Sequence, residues 1–84
     1  MITKENFKDV ILSIGFDEIK QAIDCNNDYI LLENHIFNVG SYGTIKSVNY
    51  DEEVEAEAND NGQLFCDKDT FISLVNELNL GFEL

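Results

Sequence analysis

Apolar side chains fall at Phe7, Val10, Ile11 and Ile14, the i, i+3, i+4, i+7 spacing of one helical face, which predicts an amphipathic helix over Lys4–Ile14. Thr3 is placed to cap its start, Glu5 suits the positive end of its dipole, and Gly15 stands where a C′ glycine closes a helix, with Phe16 folding back on the last turn. Ile19, Ala22 and Ile23 continue at helical spacing, so a second short helix covers Asp17–Asp24 and stops at the turn formers Cys25-Asn26-Asn27-Asp28. The period then changes. Tyr29–Leu32 is a continuous apolar run and His35–Val39 alternates, with Phe37 and Val39 on one side, which predicts two strands joined by a tight turn at Glu33-Asn34. Gly40-Ser41-Tyr42-Gly43 reads as a loop, and Thr44–Tyr50, rich in β-branched and aromatic residues, as a third strand with room for a bulge.

The next stretch, Asp51–Asp60, carries six carboxylates and no cation. Val54, Ala56 and Ala58 alternate there with Glu53, Glu55 and Glu57, and Asn61-Gly62 supplies a hairpin signal before Gln63-Leu64-Phe65-Cys66. A helix competes, because Glu and Ala are good helix formers, but it would stack Glu53 on Glu57 with no Lys among them, so the strand is preferred. Asp67 or Asp69 caps a last helix with apolar positions Phe71, Leu74, Val75 and Leu78, closed near Gly81. The expectation is an α+β fold, with a small antiparallel sheet of about four or five strands and two N-terminal helices and a C-terminal helix packed on one face.

Composition adds a single domain of 84 residues, residues 1–84, with a thin core. An apolar content of 44% with six Phe and three Tyr argues for a folded globule despite a formal net charge of −12. That charge repels nucleic acid and anionic membranes and points to basic partners. All five cations are Lys (4, 8, 20, 46 and 68), and without Arg the chain lacks the side chain best suited to bidentate phosphate recognition. No signal-peptide core and no membrane-length apolar run is seen, so the expected location is the cytoplasm.

Candidate chemistry is sparse. One His, His35, in a predicted strand, cannot build a triad alone, and Cys66 has no positive neighbour before Lys68 to activate it. Cys25 and Cys66, 41 residues apart, fit no zinc spacing and are expected as two buried thiols. Glu57, Asn59, Asn61 and Gly62 match offsets 1, 3, 5 and 6 of a calcium loop, but the twelfth position is Lys68, where a bidentate carboxylate is required. Gly40-Ser41-Tyr42-Gly43 is too short for a phosphate loop. No catalytic residue, metal or cofactor is assigned, and the chain is not expected to be an enzyme.

Charge placement is the remaining signal. Residues 1–28, 29–46 and 47–84 carry local charges of −3, 0 and −9, so the second half can steer a basic partner at long range. On a strand, Glu53, Glu55 and Glu57 would project from one face about 6.8 Å apart, and Asp51, Glu52 and Asp60 could fill the row towards the charge spacing of a nucleic-acid backbone. These six are the candidate partner-binding residues. The plainer alternative is a solvated edge strand whose charges prevent aggregation. Tyr42 and Tyr50 are candidate aromatic anchors, with core or strand packing the plainer reading of each.

Small size, acidity concentrated at Asp51–Asp60, no catalytic set and a helix-plus-sheet pattern together resemble the small inhibitors encoded by phages, the anti-CRISPR and anti-restriction proteins. The resemblance implies a non-enzymatic protein acting in a bacterial host cell. It would bind a nuclease or a CRISPR or restriction effector, in some cases as a DNA mimic, with Asp51–Asp60 as the contact set. Residues Ile2 to Phe16 are also similar to the opening of some bacterial restriction-modification methylase polypeptides. A bacterial immunity protein that neutralises a basic toxin such as a nuclease is the first alternative, and a structural or regulatory interaction module the second; self-association stays open in each.

Overall fold

The computed structural model describes residues 2–37 and 40–84, with side chains for all of these except residues 36, 37 and 40–42. Helices α1 (Phe7–Ile14) and α2 (Phe16–Asp24) lead into strands β1 (Tyr29–Phe37) and β2 (Gly40–Val48). Helix α3 (Glu52–Asp60), strand β3 (Leu64–Asp67) and helix α4 (Lys68–Asn76) follow. The strands form one antiparallel sheet in the order β2-β1-β3. The chain is therefore α+β, with three strands among the described residues where four or five were expected.

The first helix begins later than predicted. Thr3 and Asn6 close a turn on each other, Thr3 N donating to Asn6 Oδ1 at 2.7 Å and Asn6 N donating to Thr3 Oγ1 at 3.2 Å, so Thr3 supports the approach to α1 rather than its cap. Gly15, at φ +92°, turns the chain from α1 into α2, a conformation that disfavours any residue with a Cβ.

Pairing in a sheet sets the faces. Partners across antiparallel strands share a face and neighbours along a strand alternate. Ile30 and Leu32 thus lie on one face with Ile45 of β2 and with Leu64 and Cys66 of β3. Onto this face pack Val10 and Ile11 from α1, Ile19 and Ala22 from α2, and Phe71 and Val75 from α4, forming one core with Ile30 and Leu32. Each large member contributes about 1.5–3 kcal/mol by leaving water. The helical stripes read from the sequence supply these buried residues, and their members Phe7, Ile14, Ile23 and Leu78 pack against the core partly exposed.

Two predicted turns are strand instead. Glu33-Asn34 does not bend the chain: these residues run on inside β1 opposite Thr44 and Gly43, and the Glu33 carboxylate is 3.1 Å from Lys46 Nζ on the neighbouring strand. Gly40–Gly43 belongs to β2, and Gly43 is needed for close approach, since a Cβ there would lie 2.5 Å from Val10 Cγ1 and 3.1 Å from Ile14 Cδ1. Its N–H donates to Ser13 Oγ at 3.2 Å, tying α1 to the sheet edge. Val39, the expected end of the second strand, lies outside the described residues.

The acidic stretch is the largest correction. It is helix α3, not a hairpin arm, and it covers the other face of the sheet: Val54, Glu57 and Ala58 line a cleft with Leu31, Glu33 and Lys46, which alternate with the core residues along β1 and β2. Ala58 is buried there, apart from the main core.

Candidate interaction surface

Helix α3 is built by its ends. Asp51 is the N-cap, its Oδ1 accepting from Glu53 N at 2.8 Å and Val54 N at 3.4 Å, while Glu52, Glu53 and Glu55 place charge on the positive end of the dipole. At the other end Gly62 takes φ +68°, Gly62 N donates to Asn59 O at 3.3 Å and Gln63 N donates to Ala58 O at 2.8 Å, the paired bonds of a Schellman close. Asn61-Gly62 thus ends a helix. The same positive-φ preference serves hairpins, which is why the dipeptide predicted one.

A turn of about 100° per residue distributes the side chains. Val54 and Ala58 point at the sheet, and Ala56, which a strand would place beside Ala58, is exposed. The six carboxylates do not form one row. Glu52 and Glu55 share the flank towards Tyr50, whose hydroxyl donates to Glu55 Oε1 at 3.4 Å, and Glu53, Glu57 and Asp60 share the opposite flank. Asp51 sits at the head of the helix. The ten residues span about 15 Å of axis, or roughly one charge per 2.5 Å, against about one per 1.7 Å for duplex DNA. Coiling the stretch makes its charge denser than the strand would have.

No ion pair among the described residues reaches these carboxylates. Lys20 pairs with Asp24 at 2.8 Å, and Lys46 and His35 share Glu33, His35 Nε2 lying 3.5 Å from Glu33 Oε2. Lys68 turns its ammonium to the Cys25 carbonyl. The outer surface of α3 is consequently uncompensated.

Above its N-terminus lies an aromatic cluster. Tyr29 of β1 stacks on Phe65 of β3 with ring centroids 5.2 Å apart, and Tyr50 meets Tyr29 at 5.2 Å and Phe65 at 6.2 Å. Half of Tyr50 is exposed. The Glu55 carboxylate, with burial and Glu52, pushes its hydroxyl above the ordinary tyrosine value. Tyr50 was named as an anchor from the sequence; Phe65 and Tyr29 were not, because only the register brings them together. The side chain of Tyr42, the other candidate anchor, lies outside the described residues.

The residues with reactive side chains stay dispersed. Both cysteines are free thiols, but Cys25 is exposed, contrary to expectation, with its thiol donating to Gln21 O at 3.3 Å. Cys66 is half-buried, and burial, with Asp67 beside it, pushes its thiol up to about 11, so it stays protonated near neutrality. Hydrogen bonds from Thr70 hold Asp67, the N-cap of α4, below the usual carboxylate range. His35 Nε2 lies 3.4 Å from Thr44 Oγ1 and 3.5 Å from Glu33 Oε2, on strands β1 and β2. Among the described residues no three His, Cys, Asp or Glu are grouped to hold a metal, and no helix is long and apolar enough to cross a membrane.

No family model matches this chain, and no curated protein and no solved structure matches it either.

Proposed function

We propose that the protein is a non-enzymatic inhibitor that binds a basic, nucleic-acid-binding effector of bacterial defence, occupying with α3 a cleft made for a nucleic-acid backbone. The observation that carries this reading is the charge spacing of α3, about 2.5 Å of axis per carboxylate on a capped helix with no paired cation among the described residues. A surface added only for solubility needs neither that density nor a sheet to hold it. A partner of this kind places the protein in the cytoplasm of the host cell.

The test is capture from a bacterial lysate by wild type and by a Glu53→Gln/Glu57→Gln/Asp60→Asn variant, which keeps the Asp51 cap and the inward Val54 and Ala58. Wild type is expected to retain a basic nuclease or effector that duplex DNA releases and salt weakens, and the variant to lose it. Equal capture with equal salt dependence sinks the proposal. So does a captured partner that DNA cannot displace, which would move the inhibition away from mimicry.

A further inference from the structure

We infer that the Tyr29–Tyr50–Phe65 cluster is the anchor of this interface and takes an arginine side chain from the partner, an inference that rests on the reading of α3 as the binding element. Tyr29 and Phe65 are neighbours on the second sheet face, as the pairings Tyr29↔Asp67 and Leu31↔Phe65 require, and Tyr50 leans on both from the segment before α3. The three rings hold one another in place, so a partner that lands on them orders little that is not already ordered. Tyr50 is among the few large apolar side chains that stay half in water, at 50% exposure, which marks a place where covering the ring gains free energy.

The rim selects the occupant. Glu55 accepts from the Tyr50 hydroxyl at 3.4 Å, with Glu52 on the same flank of α3, and Asp28, Asp67 and Asp69 gather beside Tyr29 on the other side. Lys68, which lies among them, is engaged by the Cys25 carbonyl. An apolar platform between two banks of carboxylates is complementary to a flat cation. Guanidinium is flat, stacks on an aromatic face and forks onto a carboxylate at the same time, while an ammonium is a hydrated point charge that gains less from the ring. Phosphates and acidic peptides meet repulsion from both sides.

Fluorescence anisotropy with labelled octa-arginine and octa-lysine peptides at physiological salt separates charge from ring. Wild type is expected to bind octa-arginine about two- to fivefold more tightly than octa-lysine. Tyr50→Leu should bring that ratio to about one while leaving octa-lysine affinity within about twofold, and Tyr50→Phe should keep the ratio. The Glu53→Gln/Glu57→Gln/Asp60→Asn variant should weaken both peptides and preserve it. Equal affinities in wild type, or an undiminished ratio in Tyr50→Leu, overturns the inference. Failure of the α3 reading shows differently, as a triple variant that binds both peptides like wild type.

Discussion

Asp51 has two separable roles, since its side chain caps α3 and its charge adds to the surface. Asparagine caps about as well as aspartate, whereas alanine does not. Urea unfolding is therefore expected to show Asp51→Ala less stable by about 1 kcal/mol and Asp51→Asn close to wild type. A loss as large for Asn as for Ala would mean that charge on the dipole, not the cap bond, carries the effect. The signal is legible as Asp followed by two Glu, the composition of a first helical turn, although the same carboxylates also fit a row of ligands on a strand. Gly43 was misread for a different reason: its need for space comes from Val10 and Ile14, which are distant in sequence, and a methyl group there costs about 1–3 kcal/mol by overpacking.

Helix α3 shows how a weak pattern misleads. Val54, Ala56 and Ala58 alternate, but Ala is small enough to sit on either side, so the alternation says little. Repulsion in the helix involves the pairs Glu52–Glu55, Glu53–Glu57 and Glu57–Asp60, together about 1 kcal/mol. An N-cap of similar worth, three Glu near the positive dipole end at about 0.3–1 kcal/mol each, and the Schellman close outweigh it. Ala56→Leu should then change stability by less than about 0.5 kcal/mol, and Ala58→Leu should lower it by about 1–3 kcal/mol, as read by thermal or urea unfolding. Equal effects are what a strand requires. By contrast α1, α2 and α4 were legible because each places several large residues on one stripe. Most of β1 and the second half of β2 were legible as strand, but their continuity through Glu33-Asn34 and Gly40–Gly43 was not, because Glu33 and Lys46, polar in mid-strand, satisfy each other only once the strands are paired.

At the scale of the molecule, a net charge of −12 sits within 31 × 28 × 19 Å. At about 0.01 M salt the screening length is about 30 Å, so every carboxylate feels every other; at about 0.15 M it is about 8 Å. The unfolding midpoint is expected to rise with salt across that range, and a midpoint that falls would show that attractive pairs such as Lys46–Glu33 outweigh the net repulsion. Membership of one acidic segment, Asp51–Asp60, in the proposed surface was visible in the sequence, whereas its division into two flanks and its link to Phe65 needed the helix and the sheet register. Helices α1, α2 and α4 stabilise the sheet from one side, and α3 covers the other with Ala58 as its buried contact. The two faces are accordingly free to change at different tempos. In the proposed role, the outward positions of α3 can be rewritten one charge at a time while Val10, Leu32, Gly43 and Phe71 hold the scaffold unchanged.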